Sequence, residues 1–237
     1  MEFKIFSTFT GAGGLDIGFH GDFNYLGKYY PKLNFETVKA LEINRQACDT
    51  LKNNKKYFGK TEIINKDITK INPNDFKNEK YDVLLGGFPC LTFSVVGKQV
   101  GLKDNINGKL YENLVEFIEI LQPKVFLAEN VKGILSANKG EAIKIITKRF
   151  EDTGYKLKIQ LVNFADYGVP QLRQRVLFIG IRKDIDDEFH IPKPIYKNNH
   201  INVEKALKKI PKNCPNNNLM KQLPKYSVKP LASAMGI

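Results

Sequence analysis

The chain has 237 residues, enough for one complete domain and an appendage at the usual ~150 residues per domain. A composition of 42% hydrophobic and 26% charged residues excludes a disordered tail and a fibre. The surplus of 37 Lys and Arg over 25 Asp and Glu leaves a net charge of +12, which favours phosphate backbones or another acidic surface. The three cysteines, Cys48, Cys90 and Cys214, lie far apart with no CxxC pair, so neither a disulfide framework nor a cysteine zinc site is expected. His20, His190 and His200 share no helical spacing, so no metal site is expected. No apolar run reaches the roughly 18 residues of a membrane span, and the expected compartment is a reducing cytoplasm.

Short runs rich in Val, Ile and Phe alternate with amphipathic stretches, the pattern of parallel strands joined by crossover helices. Strands are predicted at 4–9, 37–41, 62–65, 83–85 and 125–128. Helices are predicted at 44–54, opened by an Asn cap, and at 110–121 and 141–150, from the 3.6-residue spacing of their apolar positions. The segments LKIQLVNF and RVLFIGIR, separated by ADYGVPQLRQ, read as two strands without a helix between them. The fold class is therefore α/β, a mostly parallel sheet ending in an antiparallel strand pair. After residue 183 the chain becomes rich in Pro, Asn and Lys, with helical periodicity only at 203–210. The expected division is a catalytic domain at 1–183 and a linker with the start of an incomplete region at 184–237.

Four segments carry chemistry. In TFTGAGGLDIGF a strand runs into Gly11, Gly13 and Gly14, where the backbone can turn tightly and approach a ligand. Asp16 holds the last position of a GxGxxG pattern, which argues against a dinucleotide, and a turn without ligand is the competing reading. Glu42, after the second strand, can accept from both hydroxyls of a ribose, and Asp67, after the third, from an adenine amino group. Either acid alone is more often a helix cap or a solvated loop residue.

In the second segment, YDVLLGGFPC, Cys90 follows the end of a strand, where open α/β sheets place ligands. It is a candidate nucleophile, against the alternative of a small buried hydrophobe. The loop beyond it holds Gly97, Gly101 and Gly108 with Lys98, Lys103 and Lys109, a composition suited to closing over phosphates, or to a plain solvated loop. In the third, KVFLAENVKGIL, Glu129 can share a proton with a substrate nitrogen, with a surface Glu beside a capping Asn as the alternative. The fourth, QLRQRVLFIGIR, puts Arg173 and Arg175 on one face of a strand start, to bind an anion or carbonyl oxygen or to decorate an edge.

In order and spacing, TFTGAGGLDIGF, ALEIN, KDI, GGFPC, ENVKG and QLRQR resemble the motif series of the cytosine-5 DNA methyltransferase family, over about residues 4–183. The resemblance implies a Rossmann-like fold that uses S-adenosyl-L-methionine as methyl donor and no metal. It implies that Cys90 adds to carbon 6 of a cytosine flipped out of duplex DNA, making carbon 5 nucleophilic. By the same resemblance Glu129 stabilises protonated ring nitrogen 3, Arg175 contacts the carbonyl oxygen, and Arg173 lies close to Cys90. The donor lies over the Gly11–Gly14 turn, with Phe9 against the adenine, Glu42 and Ile43 at the ribose, Asp67 and Ile68 at the adenine edge, and Pro89 completing the site.

Leu91 stands where a Gln often follows the nucleophile, which removes one polar contact to the DNA backbone. No target-recognition region, ninth motif or tenth motif is recognisable after residue 183. The expectation is a catalytic subunit of a restriction-modification system that works with a second polypeptide supplying those parts and beside a cognate restriction endonuclease not necessarily in contact with it. A tRNA cytosine-5 methyltransferase and an inactive remnant are the alternatives.

Overall fold

A computed structural model describes residues 2–89 and 110–207. Cys90, Leu91 and the glycine- and lysine-bearing loop after them lie outside the described residues, as do the last three positions of the 203–210 segment. In chain order the elements are β1 (Phe3–Thr8), α1 (Gly14–His20), β2 (Phe23–Tyr25), β3 (Lys28–Tyr30), β4 (Phe35–Leu41), α2 (Arg45–Asn53), α3 (Lys55–Phe58) and β5 (Glu62–Ile64). They continue with β6 (Val83–Gly86), α4 (Leu110–Leu121), β7 (Val125–Val131), α5 (Glu141–Asp152), β8 (Tyr155–Asn163), β9 (Gln174–Arg182) and α6 (Val203–Leu207).

Seven strands form one sheet in the order β5-β4-β1-β6-β7-β9-β8. The β1–β4, β1–β6, β4–β5 and β6–β7 pairs are parallel, and β9 runs antiparallel to β7. The chain builds outward from β1 to β4 and β5, then returns to β1's other side with β6. That reversal opens a crevice at the carboxyl ends of β1 and β6, the place where open α/β sheets bind ligands. A two-residue turn joins β2 to β3, with Leu26 at φ 49° and Gly27 at φ 83°, the left-handed pair such a hairpin needs. The sequence reading passed over this hairpin because its strands are three residues long and its turn opens with Leu, not Asn or Asp.

Alternating positions feed both faces of the central strands. Phe6, Leu84 and Phe126 enter a core closed by Leu114, Val115, Phe117 and Ile118 of α4 and by Ile146 and Phe150 of α5. Ile5, Val83 and Leu85 point to the other face, where Phe19 of α1 packs, and Ala40 meets Leu51 of α2 and Phe58 of α3. Helix α2 starts where Asn44 caps it, its side chain accepting from the Ala47 N–H at 3.0 Å.

By contact the chain divides into two compact units. One comprises residues 1–162 and 174–191 and holds the sheet; the other comprises 163–173 and the chain from 192 onward. Within the second, Asp166 pairs with His200 at 2.7 Å, and Tyr167 donates to the Pro192 carbonyl at 2.9 Å. Among the described residues no helix is long and apolar enough to cross a membrane, and no group of His, Cys, Asp or Glu is placed to hold a metal ion.

Candidate active site

The turn after β1 alternates left-handed residues: Phe9 at φ 51°, Gly11 at φ 58° and Gly13 at φ 82°. A positive φ on a bulky Phe is uncommon and concentrates at ligand sites. Gly11 and Gly14 have open space where a Cβ would stand, whereas a Cβ on Gly13 would meet Phe58 Cζ at 2.3 Å and Leu51 Cδ2 at 2.8 Å. Gly13 thus seats the turn on α2 and α3, while Gly11 and Gly14 face outward.

Glu42 ties this turn to the end of β4. One carboxylate oxygen accepts from the Gly11 N–H at 2.8 Å and the other from the Asn44 N–H at 2.7 Å, leaving lone pairs for a ligand. Asp67 accepts from the Thr69 N–H at 3.0 Å and hydroxyl at 2.9 Å through one oxygen. It caps a short turn at Ile68–Lys70 and also lines the cavity next to it. The two readings of that acid are therefore compatible. Burial pushes the thiol of Cys48 up, and this residue donates to the Glu42 carbonyl at 3.4 Å from behind the site.

Glu42 and Asp67 border a cavity of about 410 Å³ at the crevice between β1 and β6, whose lining does not include the expected Gly11, Gly13 and Gly14. Phe9, Glu42, Ile43, Asp67, Ile68 and Pro89, all expected from sequence, line it. Leu41, Lys66, Gly87 and Leu110 line it too, and the sequence reading did not select them. Leu110, the first residue of α4, had no local signal, since its approach to the cavity depends on the parallel pairing of distant strands. Apolar walls with Glu42 and Asp67 on one side suit a flat aromatic ring joined to a polyhydroxylated sugar.

The second half of the site stands on β7 and β9. Glu129 and Asn130 do not follow the strand, as expected from sequence, but lie within it. Antiparallel pairing carries β7 on to Val131, opposite Arg175. Arg175 Nε donates to Glu129 Oε1 at 2.7 Å, with about one-fifth of either side chain exposed. A charge-assisted bond this short in a half-buried setting orients both groups. The other Glu129 oxygen faces Gly87, whose added Cβ would stand 3.6 Å away, so the carboxyl reaches the exit of β6. Asn130 is 2% exposed; its amide donates to the Phe88 carbonyl at 3.1 Å and its carbonyl accepts from the Val131 N–H at 2.8 Å. It therefore fixes the backbone two residues before Cys90, a positioning task that the capping reading missed.

Strand β9 starts at Gln174, so only Arg175 of the two arginines stands on it; the expected common strand face does not reach Arg173, which belongs to the second unit. There its carbonyl accepts from the Phe164 N–H at 2.9 Å.

Beneath the glycine turn lies a buried polar chain that the sequence did not reveal. Asp16, fully buried on α1, accepts from Ser7 Oγ at 3.1 Å and Thr37 Oγ1 at 2.9 Å. The Thr37 hydroxyl lies 2.9 Å from His20 Nε2, which also accepts from the Thr37 N–H at 3.1 Å. Desolvation raises the Asp16 carboxyl to about 6, against the two hydroxyl hydrogen bonds, and burial lowers the His20 pKa.

The sequence profile of C-5 cytosine-specific DNA methylases matches residues 3–230. The chain belongs to this family. The type II methyltransferase M.NgoFVII of Neisseria gonorrhoeae is 40% identical over 225 residues, covering 92% of this chain and 56% of its own length. M.FnuDI of Fusobacterium nucleatum is 40% identical over 193 residues, with 81% and 51% covered. Among solved structures, one from E. coli assigned as a prophage-encoded DNA modification methyltransferase superposes with a TM-score of 0.69 at 26% identity, over 89% of this chain and 56% of that one. Spodoptera frugiperda DNMT2, at 22% identity and a TM-score of 0.58 over 81% of this chain and 53% of its own, shares the fold. The chain spans about half the length of the curated relatives it matches.

Proposed function

We propose that this chain is the catalytic part of a type II DNA cytosine-5 methyltransferase that takes its methyl group from S-adenosyl-L-methionine. The observation that carries the reading is the Arg175–Glu129 pair, held at 2.7 Å beside the β6 exit that leads to Cys90. Family membership and the net charge of +12 support duplex DNA as substrate.

The residues around the cavity fit the donor. The space in front of Gly11 and Gly14 would admit its methionine end, Glu42 would take the ribose hydroxyls, and Asp67 with Ile68 would take the adenine edge, against Phe9 and beside Ile43 and Pro89. When bound, the donor supplies an electrophilic methyl group on a sulfonium.

The chain's own groups prepare the base. The sulfur of Cys90 forms a bond to carbon 6 of a flipped cytosine, and the displaced π electrons leave carbon 5 nucleophilic. Glu129 hydrogen-bonds ring nitrogen 3, so that negative charge does not build on the ring. Arg175 holds Glu129 in place and offers its remaining N–H groups to the cytosine carbonyl oxygen. A base then takes the carbon 5 proton, the electrons of that carbon–hydrogen bond restore the ring double bond, and the sulfur leaves carbon 6 with its bonding pair as the regenerated thiolate. We propose that target recognition belongs to the part of the relatives' length outside the match.

The test is transfer of tritiated methyl groups to duplex DNA, with tRNA as the alternative acceptor, in the presence of a polypeptide carrying the remainder of the family's length. Glu129→Gln is expected to lower transfer to the duplex by ~10²-fold or more without weakening donor binding. Transfer to tRNA alone, or full activity in Glu129→Gln, overturns the reading.

A further inference from the structure

Glu42 is placed by more than the contacts of its own carboxylate. Its N–H donates to the Ile64 carbonyl at 3.1 Å, just past the register in which Leu41 pairs with Ile64, where the ladder between β4 and β5 ends. The carbonyls of Glu42 and Ile43 lie beyond that ladder. Asn65, the first residue after β5, supplies them with donors: its side-chain amide nitrogen is 2.9 Å from the Glu42 carbonyl and 2.9 Å from the Ile43 carbonyl. Both carbonyls can only accept, so the NH2 end of the amide must face them, and its two hydrogens serve the two oxygens.

The chain fixes Asn65 in turn. The Ile64 carbonyl that receives the Glu42 N–H also receives the Lys66 N–H at 3.1 Å, which closes a three-residue turn around Asn65. That turn leads directly to Asp67, which lines the cavity. One short segment thus carries one acid of the cavity and holds the backbone of the other. Cys48 Sγ also donates to the Glu42 carbonyl, at 3.4 Å, but a thiol is a weak donor. Ile43 lines the cavity while 65% exposed, so packing contributes little to its position. The amide of Asn65 is therefore the strongest restraint on the two residues that follow β4.

We propose that Asn65 is a positioning residue for the methyl donor, its amide setting the backbone of Glu42 and Ile43 so that the Glu42 carboxylate presents its remaining lone pairs to the ribose. The inference rests on the reading of this cavity as the donor site. Asn65 does not itself touch the ribose; it acts through Glu42. The carboxylate reaches the Gly11 N–H at 2.8 Å and the Asn44 N–H at 2.7 Å only from the backbone position that the amide maintains. Without the amide the two carbonyls turn to water, the strand end relaxes, and both carboxylate contacts loosen together with the ribose contact.

Calorimetry on the full chain compares two ligands, S-adenosyl-L-homocysteine, which is the donor without its methyl group, and its 2′,3′-dideoxy analogue. The proteins are the parent, Asn65→Ala, and Asn65→Leu, which keeps the branched shape without a donor. Affinity for the first ligand is expected to fall by about fivefold or more in both variants, and affinity for the dideoxy ligand, which offers Glu42 no hydroxyl, by no more than about twofold. Asn65 is exposed, so Tm is expected to stay within about two degrees of the parent. The ligand-free, ¹⁵N-labelled chain gives a second readout: the amide protons of Gly11 and Asn44, which report their bonds to the carboxylate, are expected to move upfield in both variants. Equal losses for the two ligands, as a merely structural role would give, or unmoved Gly11 and Asn44 shifts overturn the proposal. A parent chain that binds neither ligand overturns the donor reading instead, and the amide shifts then decide whether Asn65 positions Glu42. None of these readouts depends on methyl transfer.

Discussion

Replacing Asp16 by Asn isolates what the buried polar chain costs. The carboxyl is fully buried and its pKa stands at about 6, roughly two units above an unfolded carboxyl near 3.9. Because the folded value is the raised one, protonation stabilises the fold. That stabilisation is complete below about pH 4 and is lost as pH rises through about 6. At ~1.4 kcal/mol per unit the full span is roughly 3 kcal/mol, of which about 2 kcal/mol falls between pH 4.5 and 7.5. Asn keeps the shape, can accept from Thr37 and can donate to Ser7, but it does not titrate. Urea unfolding of both proteins, followed by far-UV circular dichroism because the chain has no Trp, is to be compared at those two pH values. Other carboxylates and His20 are present in both proteins, so the difference between them isolates position 16. The stability of Asp16→Asn relative to the parent is expected to improve by about 2 kcal/mol from pH 4.5 to 7.5. A difference that stays constant across that range refutes the reasoning.

Three further outcomes follow from the same geometry. Gly13→Ala forces a side chain onto Phe58 and Leu51 at a φ of 82°, and a loss of about 2–4 kcal/mol in unfolding free energy is expected. Gly14→Ala, which meets open space at an ordinary φ, is expected to leave Tm within a degree or two while weakening donor binding in calorimetry. Asn130→Ala frees the Phe88 carbonyl in a buried place, at a cost of about 1–3 kcal/mol; transfer is expected to fall further than stability, measured as kcat at a temperature where the variant is fully folded.

The elements legible in the sequence were those whose signal is local. The apolar runs of β1, β4, β6 and β7 and the periodicity of α4 lie within two or three residues of their predicted bounds, because each buries its own side chains against one sheet. The glycine turn, Glu42 and Asp67 were legible for a related reason: strand ends in an open α/β sheet are recognisable from strand order. Features that depend on pairing between distant segments were not. Glu129 and Asn130 were expected beyond their strand because the apolar run stops at Ala128, but the antiparallel ladder with β9 continues to Val131. Asn130 then becomes a buried brace. Asp16 looked like a defect in a nucleotide fingerprint until Thr37, brought over by β4, and Ser7 on β1 gave its carboxyl partners. Leu110 and Lys66 reach the cavity after β1 only through tertiary structure.

Covalent capture reads the proposed bond between Cys90 and cytosine directly. Duplex DNA carrying 5-fluorocytosine in the methylated context is incubated with S-adenosyl-L-methionine and the chain assembled with the remaining half of the family's length, and the products are separated under denaturing conditions and weighed by mass spectrometry. A stable protein–DNA species whose mass includes one methyl group is expected, with the cross-link mapped to Cys90 and missing from Cys90→Ala. An assembly that methylates ordinary duplex yet forms no such species, or a cross-link at another residue, would contradict it.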